Sequence, residues 1–223
     1  MERRIKKIMG MTKVSAQLRE TVCEEMRHGI EVSNLARMIG KEMGQDEQMC
    51  EKLETAGVLH DVGKLKLTKY LYSEDDLLVE QMKYVRQHTA QSYEIVMGAG
   101  IGEDIARAVY YHHENCDGSG YPDNLRGNDI PLMARILRVC DVFIALITNR
   151  SYRKAFDTKT AMEIMIDEVM EYDMQVFLAF QRVMHRQHLI DNADDVLREV
   201  HSQQQIEMLC IFEKELERLL SET

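Results

Sequence analysis

The sequence predicts an all-α protein, a helical bundle, and three observations carry that prediction. Only two prolines and twelve glycines occur in 223 residues, so long stretches are free to be helical. Apolar residues recur every three to four positions through most of the chain, the period of a helix with one buried face. Capping residues, among them Asp46 and Ser73, stand just ahead of those apolar runs. A hydrophobic fraction of 45% suits a globular core, and the length suits one ordinary domain plus an extension.

The elements follow in chain order. Residues 1–15 carry Arg3, Arg4, Lys6 and Lys7 and are read as an N-terminal basic segment. They lack the apolar run of roughly seven or more residues that a signal peptide needs. Leu18, Val22, Met26, Ile30, Leu35 and Ile39 then recur at helical period toward Gly44, with Glu24 and His28 one turn apart on a shared face. Asp46 suits the N-cap of the next helix, which runs through Met49, Leu53 and Ala56 to His60, with Gly63 as its stop signal. His60 and Asp61 therefore fall at a helix end. Ser73 with Asp76 reads as a capping box for a helix through Leu78, Met82 and Val85 to His88, and Gly98 and Gly100 close the segment after it. Ile105, Ala108, Val109 and His112 step by three and four, which places His112 on the inward face of a fourth helix.

From Cys116 to Asp129 the chain concentrates Gly, Asn, Asp and Pro and reads as a loop. Pro131 opens a helix in which Met133, Ile136, Leu137 and Cys140 are apolar and Asp141 continues the inward side. Two shorter amphipathic helices follow, one capped by Thr158 or Thr160 and the other by Asp173. Beyond Asp191, Val196, Leu197, Val200, Ile206, Leu209, Phe212, Leu216 and Leu220 mark a long helical segment without a candidate ligand. It serves either as a dimerisation or docking arm, giving a homodimer, or packs on its own domain. The expected division is residues 1–15, a domain over 16–186 and a C-terminal helical extension over 187–223.

A net charge of -10 argues against nonspecific binding to DNA or an anionic membrane, since neutralising phosphates takes a surplus of Lys and Arg. Any phosphate chemistry must be local, in a cleft whose potential is reversed by bound cations. Five widely spaced cysteines, an odd number without a C-x-x-C pair, indicate neither a disulfide framework nor a zinc ribbon. Reduced cytosol fits them. No apolar window approaches the roughly twenty residues of a membrane span, so a soluble, cytoplasmic protein is expected. Sixteen methionines read as adaptable core filler, and His185, His188 and His201 as surface residues.

His28, His60 with Asp61, His88, His112 with His113, and Asp141 form the chemical signal. Imidazole and carboxylate together suit Fe, Mn, Zn or Ni, whereas a calcium cage would be all oxygen. Seven such groups exceed what one ion takes while keeping a place for water, so two or more divalent ions are expected, and with them hydrolysis. Adjacent side chains on a helix diverge by about 100°, so each adjacent pair suits two ions.

The order His, His-Asp, His, His-His, Asp is the ligand series of the HD metal-dependent phosphohydrolases, and His60-Asp61-Val62-Gly63-Lys64 resembles the motif that names them. His112-His113-Glu114-Asn115-Cys116-Asp117-Gly118-Ser119-Gly120-Tyr121-Pro122 resembles the HHE-x-x-DGxGYP segment of HD-GYP proteins, the cyclic di-GMP phosphodiesterases of bacteria. The resemblance covers roughly Glu24 to Met184. It implies that Asp61 bridges two metals, with His28, His60 and Asp141 on one and His88, His112 and His113 on the other. Fe or Mn is the expected metal, with Zn or Ni as alternatives. A hydroxide held between the ions, its pKa lowered from roughly 15.7 to about 7, would attack phosphorus in line. Lys64 would be the transition-state cation. Glu24, one turn before the first histidine, stands where some members hold a third metal. Tyr121 and Arg150, the latter in an Arg-Ser-Tyr-Arg string resembling RPYR, would contact substrate, while Arg153 would pair with a surface acid.

The implied reaction linearises cyclic di-GMP to pGpG, and either stops there or continues to GMP. The chain departs from the family pattern at several places. His88-Thr89-Ala90-Gln91-Ser92 replaces His-Pro-x-x-Gly, Ser151 replaces a proline, Ile144 an acidic residue and Thr68 another proline. None is a ligand, so metal binding should survive while the fit to substrate changes. Two alternatives follow: a metal-bound signalling module that binds cyclic di-GMP or docks a diguanylate cyclase (GGDEF) partner with little turnover, and a hydrolase of another nucleotide such as 3′,3′-cyclic GMP-AMP.

Overall fold

The computed structural model describes residues 1–10, 16–71, 85–149, 153–186, 189, 193 and 196–221. Over these the chain is a bundle of α-helices: α1 (Glu2–Met9), α2 (Ala16–Glu42), α3 (Glu47–Leu59), α4 (Lys64–Leu71), α5 (His88–Gly98), α6 (Glu103–Tyr110), α7 (Leu132–Ile147), α8 (Thr158–Asp167), α9 (Met174–Arg186) and α10 (Gln203–Ser221). The capping box at Ser73 and Asp76, with Leu78 and Met82, lies outside the described residues.

Helix α2 is the axis of the bundle and packs against α1, α3, α7, α9 and α10. Its apolar stripe, Val22, Met26, Ile30, Leu35 and Ile39, is fully buried. Burying each such side chain contributes roughly 1.5–3 kcal/mol before ordering costs. The crossing with α3 is backbone against backbone. A Cβ on Gly57 would lie 2.4 Å from Ser33 Cα, and one on Gly29 would lie 2.5 Å from the Val58 carbonyl oxygen. Only glycine permits that approach, and it brings His28 of α2 beside the end of α3.

Caps fall where short polar side chains predict them, with one correction. Asp46 accepts from Met49 N at 2.7 Å ahead of α3, and Asp173 accepts from Gln175 N and Val176 N at 2.8 and 3.1 Å ahead of α9. The cap of α8 is Asp157, which accepts from Thr160 N at 3.0 Å, and neither Thr158 nor Thr160 takes that role. A carboxylate is the better partner for the positive end of a helix, and Thr160 donates its own hydroxyl to Asp157. His88 opens α5 where a helix end was expected, and α6 stops at Tyr110, leaving His112 and His113 in the turn beyond it.

The C-terminal stripe is covered by the chain itself. Helix α10 packs on α2, α3 and α4, with Leu209, Phe212 and Leu216 fully buried. Buried Gln205 donates to Ser33 Oγ and Asn34 Oδ1, both at 2.7 Å, and Asn34 donates to the carbonyls of Leu197 and Glu199, both at 2.7 Å. Of the two roles expected for this segment, packing on its own domain accounts for Leu209, Phe212 and Leu216 of the apolar stripe. No helix among the described residues is long and apolar enough to cross a membrane.

Candidate metal centre

Five parts of the bundle deliver the predicted ligands to one place. Helix α2 supplies His28, the end of α3 supplies His60 and Asp61, the start of α5 supplies His88, the turn after α6 supplies His112 and His113, and α7 supplies Asp141. They meet as two groups, His28, His60, Asp61 and Asp141 in one and Asp61, His88, His112 and His113 in the other, with the ligand atoms of each within 4.8 Å of one another. Asp61 belongs to both. Its Oδ2 lies 3.1 Å from His60 Nε2 and its Oδ1 lies 3.1 Å from His88 Nε2.

The main chain orients the rings. His60, His88 and His112 donate from Nδ1 to the carbonyl three residues earlier, those of Gly57, Val85 and Val109, at 2.8, 2.5 and 2.6 Å. A carbonyl can only accept, so each Nδ1 carries the hydrogen, and each Nε2 points into the site, with a lone pair to give once it carries no proton. His88 Nε2 and His112 Nε2 stand 3.3 Å apart. Two facing lone pairs repel unless a cation lies with them. His60 Nε2, Asp61 Oδ1 and His28 Nδ1 are buried without a hydrogen-bond partner, and such atoms cost about 1–3 kcal/mol each when nothing satisfies them. Geometry and donor chemistry both fit divalent cations.

The protonation pattern agrees at the carboxylates, His112 and His113, while His60 carries a proton that an ion would displace. Burial works against a charged His60, yet the carboxylates of Asp61 and Asp141 overcome it and raise the ring to about 10. Burial likewise opposes the charge of Asp61 and Asp141, but His60 and Lys64 beside the first, and His28 and His60 beside the second, hold both well below the ordinary carboxylate range. Burial, reinforced by the charges of His60 and His88, pushes His112 down to about 3. Burial and the neighbouring His112 hold His113 well below its usual value. Ionised carboxylates beside neutral His112 and His113 suit a cation, and His60 joins them on giving up its proton to an incoming ion.

Lys64 Nζ sits 2.5 Å from Asp61 Oδ2 and 3.3 Å from Glu25 Oε2. Burial disfavours its charge, but Asp61, Glu25 and Asp141 outweigh that and hold the ammonium protonated. Glu24 is exposed and belongs to neither ligand group. Fully buried Val22 and Met26 set the phase of α2, which turns residue 24 to the surface and gives the inward place to Glu25.

The glycine-rich loop closes one side. The Tyr121 ring stacks on His113, with centroids 4.8 Å apart and planes inclined 26°, and the Arg86 guanidinium lies 5.0 Å above the Tyr121 ring. Buried Glu114 accepts from Asp123 N at 2.6 Å and Leu125 N at 3.0 Å, tying the loop together from beneath. Arg138 donates to Asn115 Oδ1 at 2.7 Å and to Glu171 at 2.9 Å, fixing the loop to α7. Arg150 and Tyr152 lie outside the described residues. Among the described residues no surface acid pairs with Arg153. Arg153 donates to the carbonyls of Ala145 and Leu146 at the end of α7, at 2.7 and 3.1 Å, and covers the Phe156 ring at 4.5 Å. The last carbonyls of a helix lack intrahelical donors, which is what draws a guanidinium there.

Sequence reasoning missed Glu25, Arg86, Glu114 and Ser92. Glu114 is part of the quoted loop string, and its position directly after two ligands was the available signal. Ser92 takes the place of a family glycine, and its hydroxyl accepts from Gly63 N at 2.8 Å. There a Cβ on Gly63 would meet the His88 carbonyl oxygen at 2.3 Å. The substitution adds a bond between the turn that carries Asp61 and the helix that carries His88.

Known proteins resemble this chain in sequence and in fold. The cyclic di-GMP phosphodiesterase response regulator RpfG of Xanthomonas campestris pv. campestris (strain 8004) is 36% identical over 137 residues, which is 59% of this chain and 35% of that protein. The 3'3'-cGAMP-specific phosphodiesterase 1 of Vibrio cholerae serotype O1 is 31% identical over 180 residues, 78% of this chain and 41% of that protein. The chain thus spans 35% and 41% of the length of these two relatives. A crystal structure of a cyclic GMP-AMP-specific phosphodiesterase from V. cholerae superposes with a TM-score of 0.58 at 15% identity, over 85% of this chain and 55% of that one, and shares the fold. The family model described as HD domain matches residues 7–176. With the His-Asp pair at the meeting point of both ligand groups, the chain belongs to the HD domain family.

Proposed function

We propose that this chain is a metal-dependent phosphodiesterase of cyclic dinucleotides, which linearises cyclic di-GMP to pGpG and continues to GMP. The observation that carries the reading is the sharing of Asp61 between two groups of buried imidazole and carboxylate donors. Relatives named as cyclic di-GMP phosphodiesterases support the substrate. His28, His60 and Asp141 would hold one divalent ion, His88, His112 and His113 the other, and Asp61 both, with Fe or Mn as the metal. Bound ions of this kind supply a nucleophile from water at neutral pH and neutralise charge on the phosphate.

The chain's own residues do the rest. Lys64, kept charged by Asp61 and Glu25, donates to a nonbridging phosphate oxygen and stabilises the charge that grows there. Tyr121, held between His113 and Arg86, offers its ring edge and hydroxyl to the nucleotide. Asp61 and Asp141 stay ionised, and the carbonyl-anchored imidazoles keep Nε2 directed inward. Residues 16–186 would form the catalytic domain with 187–223 packed on it, acting in the cytoplasm. A GGDEF partner, or a second copy, would have to use surface left free by the packing of α10.

Relatives named as 3'3'-cGAMP-specific enzymes favour a second substrate, so the test offers both. Protein loaded with Mn or Fe is incubated with cyclic di-GMP and with 3′,3′-cyclic GMP-AMP, and products are separated by chromatography. Appearance of pGpG supports the first reading, and cleavage confined to the mixed dinucleotide replaces it with the second. Binding without any product over hours would leave a signalling module in place of an enzyme.

A further inference from the structure

Arg86 is an exposed guanidinium in a chain of net charge -10, and no carboxylate among the described residues pairs with it. Among the described residues the guanidinium's partner is the Tyr121 ring, 5.0 Å away, and that ring lies on His113. His113, Tyr121 and Arg86 therefore form a ladder that starts in the metal centre and ends at solvent. The backbone beneath Arg86 is fixed by the turn that aims His88: His88 donates to Val85 O, and Thr89 Oγ1 donates to Arg86 O at 3.2 Å. A cation is thus held at the mouth of the site by the same residues that build the site.

A cyclic dinucleotide carries two phosphodiesters, and only the one being cleaved lies at the ligand groups beside Lys64. The other keeps its negative charge and must be met by something cationic at the edge of the site. We infer that Arg86 is a substrate-binding residue whose guanidinium takes this second phosphodiester, released from or shared with the Tyr121 ring. A planar fork suits two phosphate oxygens, and stacking on an aromatic ring holds it ready. The inference rests on the cyclic-dinucleotide reading above and adds to it the residue that tells two phosphates from one.

The experiment compares wild type, Arg86→Ala and Arg86→Lys, each loaded with Mn and checked for metal content. The substrates are cyclic di-GMP and bis(p-nitrophenyl) phosphate, which has a single phosphodiester. Affinity for pGpG is titrated calorimetrically alongside. Arg86→Ala should raise KM for cyclic di-GMP and weaken pGpG binding by roughly tenfold or more. Metal content and turnover of bis(p-nitrophenyl) phosphate should stay at wild-type level, and Arg86→Lys should fall between. Equal losses on both substrates, no loss on either, or a lysine variant no better than alanine would each overturn the assignment. Wild type that cleaves bis(p-nitrophenyl) phosphate but neither cleaves nor binds a cyclic dinucleotide brings down the proposed function and Arg86 with it. Normal cleavage of cyclic di-GMP that is indifferent to Arg86 brings down Arg86 alone.

Discussion

Two buried polar clusters flank helix α2, and they are built on opposite principles. At the seat of α10, Gln205, Ser33 and Asn34 pair with one another and with the main chain at 2.7 Å. In the metal centre, His60 Nε2, Asp61 Oδ1 and His28 Nδ1 are equally buried and have no hydrogen-bond partner. The first cluster is finished by the chain itself and specifies where a helix docks. The second is complete only with a cation. Satisfaction of buried polar atoms, more than burial or polarity, separates these two clusters.

The sharpest way to break that contrast is Asp61→Ala, which removes the donor common to both ligand groups. Turnover should drop by at least about 10³-fold and most bound metal should be lost, read by elemental analysis and product assay. Full activity in that variant would mean the shared carboxylate is misassigned. Gln205→Ala tests the other cluster. It leaves Ser33 and Asn34 short of a buried donor and should cost about 1–3 kcal/mol of stability in denaturant unfolding. Metal content should be unchanged; a loss would show that the two clusters are not separate.

Acidity gives an effect of intermediate size. His60, raised to about 10, holds a proton at neutral pH that an incoming ion must displace. Apparent metal affinity should therefore climb with pH by up to about tenfold per unit and level off as pH passes His60's own value. Asp61 and Asp141, depressed by their neighbours, stay ionised over that range and add nothing to the slope. An affinity that falls with rising pH would contradict the proton inventory. The smallest change is expected from Ser92→Ala, which deletes the bond from Gly63 N. About 1 kcal/mol of stability should go, with a modest loss of turnover.

Much of this was legible in the sequence because chemistry restricts it. Few side chains offer good metal donors, so the recurring imidazoles and carboxylates of His28, His60, Asp61, His88, His112, His113 and Asp141 stand out in the sequence, and Asp46 announces a helix start by the same narrowness of choice. Phase was harder. Glu24 and Glu25 are each within one turn of His28, and only the burial of Val22 and Met26 decides which one faces Lys64. The cap of α8 slipped from Thr158 or Thr160 to Asp157 because propensity ranks these residues closely while a helix dipole prefers the anion. Arg86 and Glu114 act through partners distant in sequence or through backbone N–H groups, and nothing periodic announces such contacts. The C-terminal stripe was visible, but a stripe alone does not name what covers it.

The anchoring of three imidazoles to carbonyls of their own turns has a consequence for how this protein matures. Because main chain, and not an ion, settles the tautomer and tilt of His60, His88 and His112, the bundle can assemble first and be charged with metal afterwards. Protein made under iron or manganese starvation should thus emerge folded and respond to later supplementation without passing through an unfolded stage.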